Sequence, residues 1–387
     1  MQFSCFMPKI EFGQGKVSQV GNFAHNLGLG KVMLAADPYF EASGVGEQIR
    51  ETLKQVEIDC ITWTKIKPNP DCLDVDEACE LARREACDGV VAVGGGSALD
   101  FGKSVAVATP DIAPVWMYTE RSDHEVKRPI KALPMIAIPT TSGTGSETTP
   151  FAVLNNPSIK EKSTIVSDLV FPAISVIDPN LSMTMPERLT ASTGFDAFAH
   201  AYESFMSLKS TPYTRMVAME AMRIIVDNLP RAVENGKNEQ ARLQMSWASA
   251  LAGSAIAGIG VTLGHSLGQP VGGILGAPHG ESVAACTVAV TEMSCLSNVE
   301  VFASVARLFD PSIDDLPINR QAKKCAGLIK EFLDDIRLNI RFSDFGMTEA
   351  DIDKAADIAL TGYYFDILCH PRSVTREDII AIYRACM

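Results

Sequence analysis

GVVAVGGGSALDFGK occupies residues 89–103, and its reading decides the architecture of the first half of the chain. A short, wholly apolar run ends in three glycines, and a helical pattern follows at Ala98–Ala108. Such a run reads as a strand buried on both faces. A strand that turns through glycines into a helix is the βα step of a parallel sheet. Glycines there let the backbone approach a phosphate, and the helix N-terminus favours its negative charge. Ser97 can cap the helix or donate to that phosphate. The plainer reading is a glycine-rich turn. The run lacks the G-x-G-x-x-G spacing, so the ordinary Rossmann fingerprint does not apply in detail.

Outward from this stretch, further β-branched apolar runs stand at 31–37 (KVMLAAD), 134–141 (PMIAIPTT) and 174–179 (ISVIDP). Helical patterns separate several of them, as at Leu73–Glu85. Strand, helix, strand in order predicts a parallel sheet with crossover helices. Residues 151–172 read as an inserted hairpin. After Pro186 the strands stop, and helical periodicity covers 187–208, 212–228, 238–258, 299–309, 317–336, 348–360 and 375–386. The boundary falls at DPNLSMTMP (178–186) and gives an α/β domain over 1–185 and an all-helical domain over 186–387.

The chain has 387 residues, enough for two cores, with 47% hydrophobic and 21% charged residues, the make-up of a globular protein. Its net charge of -13 argues against nucleic acid or an anionic membrane as partner. Ten scattered cysteines without a CxxC pair suit reduced thiols, and the start MQFSCFMPKIEFGQGK lacks a signal-peptide pattern, so the expected location is cytoplasmic. Leu243–Gly280 carries no Asp, Glu, Lys or Arg. With His265, Gln269 and His279 inside it, this stretch reads as a buried helical core around a polar site and not as a membrane span.

Two further features extend the phosphate-loop reading. PTTSGTGSE (139–147) is a second small, polar turn after a strand, and two such loops at strand ends make a crevice for a dinucleotide. Asp37 closes KVMLAAD. An acid there can bind both hydroxyls of an adenosine ribose and would repel a 2′-phosphate, or it can simply open the turn before Pro38.

In the helical half, STGFDAFAHAYES (192–204) puts Asp196 and His200 one turn apart on an apolar helix. Only six histidines occur in the chain, and His265 and His279 lie in the same low-charge half. Lone histidines there would be hydrogen-bonded core residues or surface residues. An Asp/His pair with two further imidazoles makes a four-ligand site for Fe²⁺ or Zn²⁺, and a cation offsets the cost of burying the carboxylate.

GGGSALDFGK, PTTSGTGSE, GFDAFAHAYES and GHSLGQPVGGILGAPHG, in this order, resemble the iron-containing (group III) alcohol dehydrogenases of the dehydroquinate synthase-like superfamily, over nearly the whole chain. PNPD (68–71) and HPR (370–372) resemble two weaker markers. The resemblance implies an N-terminal NAD-binding domain and a C-terminal metal-binding helical domain. The long helical half offers surfaces for self-association, so a homodimer or larger is expected. It implies Asp196, His200, His265 and His279 as ligands of Fe²⁺ or Zn²⁺. Cofactor contacts would come from Asp37, Asn69, Gly95, Gly96, Ser97, Asp100, Thr140, Thr141, Thr149 and Lys162. The implied reaction is reversible hydride transfer between NAD(H) and a small alcohol or aldehyde, with the metal polarising the carbonyl.

The chain departs from the family pattern at three places. A histidine common four residues after the third ligand is Gln269 here, which cannot titrate near neutrality and so leaves the proton path open. The usual NPR reads HPR, with His370. A common substrate-lining phenylalanine reads Ile256, and Phe151 is the second candidate lining residue. Rival readings are a dehydroquinate synthase-like lyase, a cofactor-binding protein without catalysis, and a transhydrogenase with tightly bound NAD. The first needs a cationic pocket that Leu243–Gly280 does not offer. The second is disfavoured by four intact ligand positions. Release of NADH into solution separates the third.

Overall fold

The computed structural model describes residues 7–120, 125–159 and 161–387; Cys5 and Lys160 of the hairpin lie outside them. Its contacts group into two compact units, one ending at Met183 and the other spanning Thr184–Met387.

Among the described residues, the first unit holds eight strands: β1 (Lys9–Phe12), β2 (Lys31–Ala36), β3 (Asp59–Trp63), β4 (Gly89–Gly94), β5 (Met135–Pro139), β6 (Phe151–Asn156), β7 (Glu161–Val166) and β8 (Ile174–Ile177). Six of them form one sheet in the order β1-β8-β5-β4-β2-β3, and every neighbouring pair is parallel. β4 is central, with Val91 paired to Leu34 on one side and Ile136 on the other. Alternate residues enter two separate cores. Val90 and Ala92 pack with Val75, Ala78 and Val105, from the helices Cys72–Arg84 and Gly96–Ala108. Val91 and Val93 pack with Val20, Phe23, Ile49 and Leu53, from Val20–Asn26 and Val45–Lys54. Burial on both faces is why the strand sequence is continuously apolar.

Chain order fixes where a ligand can enter. From β2 the chain moves outward to β3, then returns to place β4 on the other side of β2. The strand order reverses between β2 and β4, and crevices open at the carboxyl ends of strands at such a switch point. Asp37 follows β2 and Gly95–Ser97 follow β4, so both stand at that reversal. β6 and β7 form the separate antiparallel hairpin, with Asn155 opposite Lys162.

The second unit is helical. Its largest core gathers Phe195, Phe198, Tyr202, Phe302 and Phe332, and a second one gathers Leu263, Val271, Ile352 and Tyr383. Most expected helices are present within two residues of their expected ends, as Glu187–Met206 and Glu239–Ile256 illustrate. Three differences stand out. The helix from Pro212 continues through Pro230 to Glu234, because one lost backbone hydrogen bond does not outweigh the burial of Leu229, Ala232 and Val233. Leu263–Leu275 and His279–Ser294 are distinct helices in a region whose periodicity gave only a general helical character. β1 and β3 add two edge strands. No helix among the described residues is long and apolar enough to cross a membrane.

Candidate functional site

The helix Glu187–Met206 is buried almost all round from Thr190 onward, which explains its apolar composition. Asp196 and His200 share one face of it, and both are buried. His265 lies on the first turn of Leu263–Leu275, and His279 opens His279–Ser294. From these three helices, Asp196, His200, His265 and His279 bring one donor atom each within 4.8 Å of one another. Asp196 Oδ1 lies 3.5 Å from His265 Nε2, 3.5 Å from His279 Nε2 and 3.9 Å from His200 Nε2.

This spacing suits a cation. Ligands about 2.1 Å from one ion at tetrahedral angles stand about 3.4 Å apart. Asp196 Oδ1 and His265 Nε2 are buried without a hydrogen-bond partner. Buried polar atoms are seldom left so, and a shared ion satisfies both. One carboxylate with three imidazoles suits Fe²⁺ or Zn²⁺ better than Mg²⁺ or Ca²⁺.

A residue that sequence reading passed over stands behind the four. Glu203, buried on the same helix, accepts from His265 Nδ1 at 2.8 Å, from the backbone N–H of His265 at 3.1 Å, and from the backbone N–H and hydroxyl of Thr262. Its signal in sequence was position alone: it lies one turn beyond His200 on the Asp196 face. Two buried carboxylates give the site a need for positive charge. Burial pushes His200 down to about 4 against the pull of Asp196. Burial works the same way on His265, but Glu203 and Asp196 outweigh it and raise that imidazole to about 10. Asp196 is held well below the usual carboxylate range, burial being outweighed by the three histidines.

In the first unit, the two glycine-bearing loops touch. Thr140 N–H donates to Gly94 O, and Asp37 N–H donates to Val93 O. A Cβ on Gly94, where φ is +151°, would stand 2.6 Å from Ala98 Cβ and 2.9 Å from Asp37 Cβ. One on Gly96 would stand 2.7 Å from Thr144 Cγ2, so glycine is required at both places. Asp37 caps the short helix Pro38–Ala42 through Tyr39 N–H, so the turn-opening reading is realised at a position that also stands at the switch point. Asn69, at φ +56°, donates its N–H to Ser97 Oγ, and Lys162 Nζ donates to Asn69 Oδ1 at 2.8 Å.

Two other expected cofactor residues, Asp100 and Thr149, also make hydrogen bonds within the unit. Asp100 accepts from Ser146 Oγ at 2.7 Å and from Val153 N–H at 3.1 Å. Lys103, fully buried, donates to Ser146 Oγ, Thr149 Oγ1 and the carbonyls of Thr149 and Phe151. Asp100 and Thr149 therefore tie the second loop to the helix Gly96–Ala108. Thr141 is half-buried beside Gly95, and Thr140 is buried.

Gln269 is half-buried one turn past His265, ahead of Pro270. Ile256 is buried at the end of its helix, and Phe151 is half-buried at the start of β6. His370 is buried with Nε2 at 2.7 Å from Ser294 Oγ, and burial lowers it to about 4.

Residues 8–179 match the family described as iron-containing alcohol dehydrogenase, and residues 190–387 match its C-terminal counterpart. The chain is 34% identical to a 1,3-propanediol dehydrogenase of Klebsiella pneumoniae over 99% of this chain and 98% of the relative. A crystal structure of a 1,3-propanediol oxidoreductase superposes with a TM-score of 0.94 at 32% identity, covering 100% of both chains. A sulfoacetaldehyde reductase from Bifidobacterium kashiwanohense, solved with NAD+, gives 0.87 at 29% identity, covering 100% of this chain and 99% of that one.

Proposed function

Because this chain belongs to the iron-containing alcohol dehydrogenase family, we propose that it works as an NADH-dependent reductase of a short aldehyde, with alcohol oxidation as the reverse reaction. It is a metal-dependent oxidoreductase that uses NAD(H) and a divalent metal. The observation that carries the proposal is the convergence of Asp196, His200, His265 and His279 on one small volume. Those four residues would hold the ion. When bound, the ion supplies a Lewis acid for the carbonyl oxygen.

The chain's own residues do the rest. In residues 1–185, assigned to NAD binding, Gly95, Gly96 and Ser97 offer backbone N–H groups and a hydroxyl at a helix start for the pyrophosphate. Asp37 faces the ribose hydroxyls, and Asn69 with Lys162 forms the facing polar edge. In residues 186–387, assigned to metal binding, Gln269 orients water or substrate beside the ligand helix, and Ile256 supplies apolar lining. Phe151 is a second candidate for substrate lining. The absence of Lys and Arg from Leu243–Gly280 supports an uncharged aldehyde. Nine free cysteines among the described residues support a reducing, cytoplasmic location. Self-association as a homodimer or larger is part of the same reading.

The test is a screen of short aldehydes with NADH after chelation, with Fe²⁺ or Zn²⁺ then restored. Activity should vanish on chelation and return with metal. Full activity in metal-free protein would sink the site assignment. Turnover without NADH exchange with solution would point to a transhydrogenase.

A further inference from the structure

We propose that Glu203 is a positioning residue that fixes His265 as a metal ligand, an inference that rests on the metal-site reading above. Four donors converge on this one buried carboxylate, and two of them belong to His265. A carboxylate that accepts from backbone N–H groups carries no proton to give, so the 2.8 Å contact with His265 Nδ1 requires the proton on Nδ1. An ion that displaces any proton from Nε2 then takes the lone pair of that nitrogen, the atom 3.5 Å from Asp196 Oδ1. Glu203 sets the tautomer and also the ring plane, because its bond to His265 N–H ties the same oxygen to the residue's backbone.

Gly264 supplies an independent mark of this arrangement. A Cβ at 264 would stand 2.5 Å from Glu203 Oε1. Absence of a side chain there is what allows the carboxylate to reach His265. The helix Glu187–Met206 thus contributes Asp196 and His200 directly and governs the third ligand through Glu203. Outer partners of this kind orient a ligand histidine, and their loss lowers metal affinity about 10–100-fold.

A purely structural role is the competing account, since Glu203 also satisfies backbone donors at the start of Leu263–Leu275. Zn²⁺ affinity, measured by competition with a chromophoric chelator, and the visible spectrum of the Co²⁺ form separate the two. Glu203→Gln should bind Zn²⁺ about 10–100-fold more weakly and shift the Co²⁺ bands. Unchanged affinity and an unchanged spectrum, with only a lower melting temperature of the metal-free protein, would overturn the proposal. Should Glu203→Gln not fold, Gly264→Ala serves instead: it pushes the carboxylate off His265 and should weaken Zn²⁺ binding, and wild-type affinity in that variant overturns the proposal. If the unmutated protein binds neither ion, the metal-site reading falls with it.

Discussion

Gly280 lies directly against Ser192: a Cβ at 280 would stand 2.2 Å from the Ser192 carbonyl oxygen and 3.3 Å from Asp196 Cβ. Backbone cannot give way as a flexible side chain can. The helix that begins with His279 therefore reaches the Asp196 helix only because residue 280 has no side chain. Gly280→Ala should displace His279 from the other three ligands. Metal affinity should fall by about tenfold or more, with about 1–3 kcal/mol of stability lost to overpacking. Chelator competition and thermal unfolding measure the two effects separately. A variant that melts lower but holds metal as before would show that His279 does not depend on this contact.

Glu147 carries a pH prediction in the first unit. Its side chain is buried, Oε1 has no hydrogen-bond partner, and burial pushes its carboxyl up to about 7 against the nearby Lys103 charge. Between pH 4.5 and about 7, the folded chain keeps a proton that the unfolded chain has released. Stability from this group is therefore full below that window and is lost as pH rises through it. The difference amounts to about 3 kcal/mol at most. Glu147→Gln should remove that slope. Equal dependence of unfolding free energy on pH in both proteins would show that Glu147 is ionised throughout.

Asp37 predicts cofactor choice. It stands at the strand-order reversal beside Gly94, and the proposed NAD-binding reading sets the adenosine ribose against it. Repulsion of a 2′-phosphate at a partly exposed site is worth about 1–3 kcal/mol, so NADH should be preferred over NADPH by about tenfold to a hundredfold. Asp37→Gly should narrow the ratio of kcat/KM values. Equal efficiency of the two cofactors in the unmutated protein would remove Asp37 from this role.

These predictions also show which parts of the molecule sequence can carry. β2, β4, β5 and β8 were legible because burial on both faces makes them continuously apolar. β1 (KIEF) and β3 (DCITW) sit at the edges, half-exposed, and their mixed character resembles loop. Leu263–Leu275 and His279–Ser294 blurred together because helices buried on most sides lose the polar stripe that marks a period. The Asp196/His200 pair showed itself through local spacing. Glu203 did not, because its importance lies in contacts with Thr262 and His265, about 60 residues away. The bonds of Asp100 to Ser146 and of Thr149 to Lys103 were hidden for a similar reason, because they join residues 46 positions apart.

The proposed reaction makes Gln269 a test of how the proton arrives. When hydride reaches the carbonyl carbon, the oxygen must gain a proton. A histidine one turn past His265 could supply it, having an ordinary pKa of about 6.5. Glutamine cannot titrate, though its amide can hold a water or a substrate oxygen. His370 does not replace it: that ring is buried, engaged with Ser294 and lowered to about 4, so it stays neutral near pH 7. Proton delivery should therefore run through water and the cofactor's ribose hydroxyl. The pH profile of aldehyde reduction should show no limb that disappears in Gln269→Ala. That variant should raise KM and leave kcat within about tenfold, the pattern of lost ground-state binding. Gln269→His should add an ionisation near neutrality. If Gln269→Ala instead lowers kcat by about a hundredfold at unchanged KM, the amide acts in the transition state, and a path through water alone is wrong.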